Sequence, residues 1–455
     1  MIRIRVLVLI ASAASAGIGT LGACGGSDAR TSFTEEPDSG ELPEASAPPS
    51  SSSPSPSSSS EADAAPKPPS KPDYDTSDEA VVCTATPCAT QLAAGDNHFC
   101  ALLSDGDVRC WGDNNTGALG AGVLANRYNP PVAVVGVADA TQISAAGSTT
   151  CARSSAGGVK CWGQNAQGQL GLQVSPAVSD TKEHSTPTDV PLDAGIGRVD
   201  VGTRAVCALG TTGADVYCWG GNDQGQLARP DAGTIGVDLK VGGPGPADPQ
   251  GFELTRTVGG TASVFGATKD GRVVGWGAVS GRPASITPTA TMTAIPSLEY
   301  VTSVAAGPSH ACAIAAGKVY CWGTNTKGLL GTGIPDSERF PVPVALVPNA
   351  KAFPQQVAVS GATSCVRMTD GTIHCAGADD RGQLGRGTSG TYSLSFVRAT
   401  ALQDHAVQVA TSASATCALV QGGNVVCWGG NANAELGAGT RDSDPHPSPV
   451  TVVFP

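Results

Sequence analysis

Residues 95–120 read GDNHFCALLSDGDVRCWGDNNTGALG, and this stretch is the first clear copy of a motif that returns along the chain. The motif has the form G-x-x-H-x-C-A-L, a glycine-containing turn, and then V-x-C-W-G-x-N-x-x-G-Q-L-G. It recurs about every fifty residues up to Gly437, giving seven copies, and a fixed period of that length is the signature of a closed or stacked repeat fold. The repeats predict an architecture, but they do not identify a ligand.

Most of the cysteines occupy matching positions in six of the repeats, one on each side of a turn that contains glycine. Two such cysteines would face each other on adjacent antiparallel strands, within reach of a disulfide. In the repeat around Trp276 the two positions hold Phe265 and Gly275, so both cysteines are missing together, as expected of a bonded pair. The predicted pairs are Cys100 with Cys110, Cys151 with Cys161, Cys207 with Cys218, Cys312 with Cys321, Cys365 with Cys375, and Cys417 with Cys427.

Two further cysteines, Cys83 and Cys88, are predicted to close a small local loop. Zinc is the alternative use of paired cysteines, but a structural zinc site needs four converging ligands at close spacing, and these pairs lack that spacing. Disulfides require an oxidising compartment. With fifteen cysteines in the chain, this pairing leaves only Cys24 unbonded.

The beginning of the chain has the layout of an export signal. Arg3 and Arg5 precede an apolar run at residues 6–19 that is too short to span a membrane. Residues 21–24, Leu-Gly-Ala-Cys, resemble the bacterial lipobox, which implies that Cys24 becomes the lipid-anchored first residue after residues 1–23 are removed. Gly25 follows that cysteine, which in lipoprotein sorting implies the outer membrane, on its periplasmic or its cell-surface side. An ordinary cleaved signal with a chance cysteine is the alternative.

Residues 24–80 are rich in Ser, Pro, Ala and acidic residues and have no apolar periodicity. Such a segment cannot bury enough apolar surface to offset its ordering entropy, so it predicts a disordered tether. The repeats occupy the remaining domain, residues 81–455. The formal net charge of -12 makes the chain a poor partner for phosphate backbones, which disfavours nucleic-acid binding.

Each tryptophan directly follows the second cysteine of a pair, or Gly275 in the repeat without cysteines. On a strand, this neighbour points to the sheet face opposite the disulfide. One tryptophan at a fixed position of each repeat predicts packing between repeats, and a sugar-binding stripe is the alternative. The tryptophans are Trp111, Trp162, Trp219, Trp276, Trp322 and Trp428, with Ala376 in the seventh position.

Four strands per repeat follow from the remaining pattern. Two flank the glycine turn, one precedes the motif, and a proline-containing edge strand follows the N-x-x-G-Q-L-G loop, since proline tolerates sheet edges. Seven four-stranded antiparallel sheets arranged radially make an all-β seven-bladed propeller. The predicted edge strands are Pro131–Val135, Pro187–Leu192, Pro288–Met292, Pro341–Leu346 and Pro449–Phe454.

These residues resemble the regulator of chromosome condensation repeat family, whose members form seven-bladed propellers. The resemblance covers residues 90 to 455. It departs from the family pattern at 260–277, which lacks both cysteines and the N-x-x-G-Q-L-G loop, and at 361–385, which lacks tryptophan. Ring closure stays open, because Ala80–Cys83 aligns with the same outer-strand position as Pro449–Phe454.

The resemblance does not carry over nucleotide exchange on a nuclear GTPase, because an exported, lipid-anchored chain meets no cytoplasmic GTPase. His98 and His310 occupy the same repeat position, which favours a hydrogen-bonded core role over catalysis. We find no nucleophile-elbow motif, no H-E-x-x-H and no usefully spaced carboxylate pair. The sequence therefore predicts no catalytic residue, cofactor or metal.

What remains is a monomeric, non-enzymatic scaffold that binds an unidentified protein through its loops. Two long inserts break the symmetry of the repeats, 173–190 and 228–251, and are the predicted contact surface, although loops that merely tolerate insertion look similar. A cell-wall or glycan-binding module and a propeller enzyme with a site on one ring face are the alternatives. The candidate contact residues are Asp180, Lys182, Glu183, His184, Arg229, Asp231, Asp238 and Lys240.

Overall fold

The computed structural model of the protein describes residues 72, 74–124, 127–192, 195–229, 241–279, 288–344, 346 and 352–454. Within them, strands form seven four-stranded antiparallel sheets, which confirms the predicted seven-bladed propeller. The predicted signal peptide and most of the tether lie outside the described residues. The final part of the predicted tether, residues 74–80, is described and lies against the propeller.

Each blade is one continuous stretch of chain, and its strands run from the innermost to the outermost in sequence order. Blades 1 to 4 are β1 (Ala89–Ala94), β2 (His98–Leu103), β3 (Val108–Asp113), β4 (Arg127–Ala133); β5 (Ala140–Ala146), β6 (Thr149–Ser154), β7 (Val159–Gly163), β8 (His184–Asp189); β9 (Ile196–Val201), β10 (Ala205–Gly210), β11 (Val216–Gly221), β12 (Val241–Pro246); and β13 (Leu254–Gly259), β14 (Ser263–Thr268), β15 (Val273–Gly277), β16 (Thr289–Ala294). Blades 5 to 7 are β17 (Val301–Ala306), β18 (His310–Ala315), β19 (Lys318–Gly323), β20 (Glu338–Pro343); β21 (Pro354–Val359), β22 (Thr363–Met368), β23 (Ile373–Ala378), β24 (Tyr392–Arg398); and β25 (Ala406–Thr411), β26 (Ala415–Val420), β27 (Val425–Gly429), β28 (His446–Thr451).

The antiparallel order gives the ring two different faces. We call the face at which the innermost strands begin the turn face, because it carries the tight turns between the second and third strands. The opposite face carries the long connections between the third and outer strands, and we call it the loop face. A short 3-10 helix, Thr326–Gly328, lies in one of these connections.

The described cysteines are bonded in the pairs that the sequence predicts, and each repeat pair lies directly opposite across its hairpin. Five of the six repeat disulfides pack against the tryptophan of the following blade. Cys100 and Cys110, for example, share a buried cluster with Trp162. Because cysteine and tryptophan point to opposite faces of their own sheet, a blade that has both offers its disulfide to one neighbour and its indole to the other.

The indole nitrogens add a directional contact to this packing. In five blades the Nε1–H donates to a backbone carbonyl in the glycine loop of the preceding blade, at 2.7 to 2.8 Å. All six tryptophans are fully buried, which places them in the core between blades, as predicted, and removes them as an exposed sugar-binding stripe. The bonds run from Trp111 to Glu435, Trp162 to Ala118, Trp219 to Gln169, Trp276 to Gln226 and Trp428 to Gln383.

In the two irregular repeats, side chains of a different size fill the space left by the missing cysteines or tryptophan. In blade 4, Phe265 lies opposite Gly275 and meets Trp322 of blade 5 edge-on, with ring centroids 5.4 Å apart. In blade 6, Ala376 leaves the tryptophan position empty, and Phe396 from the outer strand fills the same cluster. Blade 4 lacks the glycine loop, and within the described residues the buried Trp322 Nε1 has no hydrogen-bond partner.

The N-x-x-G-x-L-G loops are held by their first side chain. In six blades, an Asn or Asp oxygen accepts a hydrogen bond from the backbone N–H of the loop leucine, five residues later. Two positions in each loop have positive φ, and both are glycine in four of the loops, as Gly117 and Gly120 illustrate, whereas Ala228 and Ala434 hold one of them in blades 3 and 7. The carbonyl that receives the neighbouring indole precedes that leucine. The loop is therefore shaped to present an acceptor to the next blade.

Four of the five predicted outer strands lie too late in the sequence, whereas Pro288–Met292 begins one residue before the observed strand Thr289–Ala294. In blade 2 the strand is His184–Asp189, whereas Val190, which the sequence analysis placed inside it, is buried beyond the strand end and leads into blade 3. The ladder is also irregular beside each tryptophan, which shifts the register. Blades 3 and 6 have outer strands that were not predicted, and one of them reads VGGPGP, with no apolar alternation.

Ring closure needs no exchanged strand. The last blade is completed by β28, while Cys83 of the competing Ala80–Cys83 segment forms only an isolated bridge with Gly422, at the turn of β26 and β27. The seam between blades 7 and 1 has the same chemistry as the others. Trp111 packs against the disulfide of Cys417 and Cys427.

Replacing Trp219 by Phe should lower the free energy of unfolding by about 1–3 kcal/mol more than replacing Trp322 by Phe. Both changes remove the same indole atoms, but only W219F breaks a hydrogen bond, whereas W322F removes a buried donor that has no acceptor. The comparison is made from urea midpoints at unchanged m value. Equal losses in the two variants would contradict the role assigned to the indole N–H.

Candidate functional site

His98 and His310 are buried core residues. His98 Nε2 lies 2.8 Å from Thr150 Oγ1 of the next blade, and His310 Nε2 lies 2.8 Å from Ser364 Oγ. Because those hydroxyls donate to backbone carbonyls, each imidazole must be the donor in its pair. Burial lowers the pKa of both histidines to about 4, so both are neutral at pH 7. They join blades and face no solvent.

The other histidines have local partners in separate blades. Nε2 of His184 and of His446 pairs with an aspartate four residues earlier, and His405 pairs with Glu79. His374 is buried near Thr372, and burial lowers its pKa. In the described part of the chain, no three His, Cys, Asp or Glu side chains are placed to hold a metal ion. No described helix is long and apolar enough to cross a membrane.

The first predicted insert is only partly a loop, since β8 occupies its second half. Asp180 Oδ1 pairs with His184 Nε2 at 2.9 Å, and Asn165 Nδ2 contacts Asp180. The same arrangement of Asn431, Asp442 and His446 recurs in blade 7. The structure thus uses Asp180 and His184 to hold the loop, while Lys182 and Glu183 are exposed.

The second predicted insert likewise contains β12. Its Arg229 points inward, and its Nη2 donates to the carbonyls of Gly243 and Gly245 at 2.9 and 3.0 Å and to that of Cys218. The other candidates in this insert, Asp231, Asp238 and Lys240, lie outside the described residues. The two inserts touch, because a Cβ placed on Gly243 would lie 2.3 Å from the carbonyl oxygens of Gln173 and Val174.

A second set of polar residues was missed by the sequence analysis and lines the central channel. It consists of one residue at the same position of each innermost strand. In four blades this residue is glutamine, and its amide exchanges two hydrogen bonds with the backbone of the next innermost strand, as Gln91 does with Ile143. In order, the seven residues are Gln91, Gln142, Arg198, Arg256, Ser303, Gln356 and Gln408.

Two adjacent blades replace this glutamine with arginine, which cannot accept a hydrogen bond. Asp200 takes over the bridge, since its Oδ2 accepts from the Thr257 N–H at 2.9 Å. Asp200 also pairs with Arg198 Nε at 2.8 Å; burial opposes the Arg198 charge, but Asp200 outweighs it and raises the pKa of Arg198. Arg256 makes no hydrogen bond or ion pair within the described residues, and burial, together with the charge of Arg198, lowers its pKa.

The segment that precedes blade 1 crosses the turn face over this channel. Tyr74 stacks on Phe353 with centroids 4.3 Å apart, and its hydroxyl donates to the Pro354 carbonyl at 3.0 Å. Glu79 receives hydrogen bonds from His405 at 2.9 Å and Gln421 at 2.7 Å. We call residues 74–80 the capping segment.

Beneath the capping segment, Arg367 is fully buried. Its Nη1 lies 3.7 Å from Glu79 Oε2, whereas its Nε and Nη2 have no partner in the described part of the chain. Burial lowers the pKa of Arg367, and the charges of Glu79 and Asp78 oppose this effect. Burial also disfavours the charged form of Glu79, yet His405, Gln421 and Arg367 together lower its pKa.

A cavity of about 390 Å³ lies at the turn-face mouth of the channel. Its walls include Arg198, Arg256, Gln356 and Gln408, and Asp78 and Glu79 of the capping segment reach into it. At the loop-face end, the channel narrows to a cavity of about 90 Å³ lined mainly by small residues. The chain therefore has two candidate sites on opposite faces: the touching inserts and the arginine-lined mouth.

Sequence comparison agrees with the geometry of the blades. The profile of the regulator of chromosome condensation (RCC1) repeat matches residues 89–118 and 301–329, and a second profile of this repeat matches 316–366. These segments of the propeller are similar to RCC1 repeats. Over 361 residues, this chain is 26% identical to the ultraviolet-B receptor UVR8 of Arabidopsis thaliana, covering 76% of this chain and 78% of UVR8.

Human E3 ubiquitin-protein ligase HERC2 is 27% identical over 270 residues, which are 57% of this chain and 5% of HERC2. Among solved structures, Prp20p of Saccharomyces cerevisiae superposes with a TM-score of 0.64 at 20% identity, covering 82% of this chain and 87% of Prp20p. Human WBSCR16 gives 0.62 at 18% identity, with 74% and 88% covered. At these identities the structural matches establish the RCC1-type fold alone.

Lowering the pH from 7.5 to 5 should destabilise the protein through its buried histidines. Their pKa is about 4 in the folded state and about 6.5 in the unfolded state, so the unfolded chain binds protons first and stability falls as the pH drops through this window. The expected loss at pH 5 is about 2 kcal/mol for each histidine. Chemical denaturation at both pH values, with a variant carrying H98Q and H310Q, measures it. Identical pH dependence in wild type and variant would refute this assignment.

Proposed function

We propose that the protein is a non-enzymatic scaffold that binds another protein through the loop face of its propeller. The observation that carries this proposal is the contact between the two inserts, which form one continuous surface on blades 2 and 3. Val174, Lys182 and Glu183 are exposed on it. Their charged and apolar groups stand on a framework fixed by disulfides and glycine loops, and loops on rigid frameworks commonly carry recognition.

The relatives support protein recognition as a use of this fold. UVR8 is a receptor, and Prp20p has binding properties toward Gsp1p and histones. Yeast Prp20 has also been solved bound to Kap60. None of these partners is assigned to the present chain, because the identities are low. The relatives favour the class of function and leave the partner to experiment.

We further propose that the propeller is exported and anchored through lipid on Cys24. The seven disulfides use fourteen of the fifteen cysteines and leave only Cys24, which lies outside the described residues. That many disulfides favour an oxidising compartment. The residues around Cys24 resemble a lipobox, so a single hypothesis accounts for every cysteine. The tether would then let the propeller stand away from the membrane.

Replacing Cys24 by Ser should move the protein from the detergent phase to the aqueous phase in a phase-separation experiment on bacterial cells that express it. Labelling with a fatty-acid analogue should be lost in parallel. C83S serves as the control, because Cys83 belongs to a disulfide and its loss should leave partitioning unchanged. Detergent partitioning that survives C24S would contradict the lipid anchor.

Replacing Val174, Lys182 and Glu183 together by Ala should abolish the main crosslinked product formed on intact cells, as measured by mass spectrometry. The control variant, E253A with K269A, removes an exposed ion pair from the turn face, with N–O distance 2.9 Å. That variant should crosslink as the wild type does. A product lost in the control and kept in the loop-face variant would refute the proposed binding surface.

A further inference from the structure

The turn-face mouth holds more positive charge than the propeller itself neutralises. Arg198 and Arg256 line it, and Arg367 is buried beneath the capping segment. The propeller supplies one carboxylate, Asp200, which pairs with Arg198. The other two carboxylates, Asp78 and Glu79, belong to the capping segment. Without that segment, Arg256 would face the cavity and Arg367 would lose Glu79, its ion-pair partner, in a chain whose formal net charge is -12.

The propeller holds the capping segment at this mouth through backbone groups as well as side chains. Gln421 Nε2 donates to the Ala80 carbonyl at 3.1 Å, and its Oε1 accepts from the Val82 N–H at 3.0 Å. Gln355 Nε2 donates to the Ser77 carbonyl. Propeller side chains thus contact peptide groups of the segment as well as its carboxylates.

The arginines are poorly explained as stabilising residues. Arg367 is fully buried with two unpartnered donor nitrogens, and a buried polar group without a partner lowers stability. Arg256 occupies a position that is glutamine in four other blades, where glutamine bridges to the next strand and arginine cannot. Arg256 gives up a contact within the ring and places its guanidinium at the cavity, while Arg367 lies beneath the capping segment, 3.7 Å from Glu79.

We propose that the turn-face mouth is a binding site for an acidic peptide, which the capping segment occupies in cis and which an acidic stretch of a partner protein can occupy in its place. Arginine is suited to this role because its fork of donors matches a carboxylate. The site lies on the face opposite the inserts and does not depend on the loop-face function proposed above.

A peptide is favoured over an anionic polysaccharide by the glutamine contacts. Gln355 and Gln421 pair with amide groups, which a chain of sugar acids lacks. The aromatic stack of Tyr74 on Phe353 likewise uses a side chain of the bound segment. Charge provides the attraction, and amide pairing provides the preference for peptide.

The test uses the mature chain with the capping segment neutralised by D78N and E79Q. A fluorescent peptide of residues 74–80, YDTSDEA, is titrated, and binding is followed by fluorescence anisotropy at low and high salt. The neutralised protein should bind this peptide at least about tenfold more tightly than the wild type, and salt should weaken the binding. D78N alone, which breaks no hydrogen bond of the described residues, should give a smaller gain in the same direction.

Adding R256Q to the neutralised protein should reduce binding at least about tenfold. This change restores the glutamine found in four other blades, so the ring should fold, and an unchanged melting temperature checks this. D75N is the matched control on the segment, because among the described residues the Asp75 carboxylate bonds only to Ser77, and it should bind as the wild type does.

Three results would overturn the proposal. One is equal peptide binding by wild type, D78N and the neutralised protein. The second is equal binding of the amide peptide YNTSNQA, and the third is stronger competition by polygalacturonate than by unlabelled YDTSDEA. Loss of loop-face crosslinking in the neutralised protein is not among them, because the two faces are tested by different readouts.

Discussion

Packing of an indole on the disulfide of the preceding blade is the contact on which the ring depends. A four-stranded blade cannot bury its apolar faces alone, so its stability comes from its neighbours. The disulfide makes a compact apolar surface on one side of its sheet, and the tryptophan of the following blade covers that surface. The hydrogen bond from indole to loop carbonyl then fixes the angle at which two blades meet. Where one of these parts is missing, Phe265 or Phe396 takes its place.

Repetition made the fold predictable from the sequence. Glycines, cysteines and tryptophans at fixed spacing specify hairpins, bonded pairs and packing faces, and the structure has all of them. Four outer strands were predicted too late because the buried valine just beyond each strand looks like part of it. The outer strand VGGPGP was not predicted because it carries no apolar alternation. The first and last residues of the outer strands are set by backbone pairing, which leaves little trace in the pattern of side chains.

The arginine-lined mouth was missed for another reason. Each channel-lining residue is a single position on one of the seven innermost strands, outside the cysteine and tryptophan motif. Aligning the repeats on the innermost strand would reveal Arg198 and Arg256 in a row of glutamines, but nothing in the sequence places Asp78 or Glu79 above them. That juxtaposition depends on how a segment with no repeat counterpart crosses the face. Repeats predict the frame, and departures from the repeat carry the individual chemistry.

The order of the cysteines has a consequence for how the molecule is made. Every bridge joins a cysteine to the next one along the chain, from Cys83 with Cys88 through to Cys417 with Cys427. Once Cys24 is blocked by lipid, as proposed above, an oxidant that acts on the remaining thiols in the order in which they emerge would produce the native set without rearrangement. Biosynthesis can thus complete each hairpin before the following one exists, and no isomerase is needed to sort the fourteen sulfur atoms.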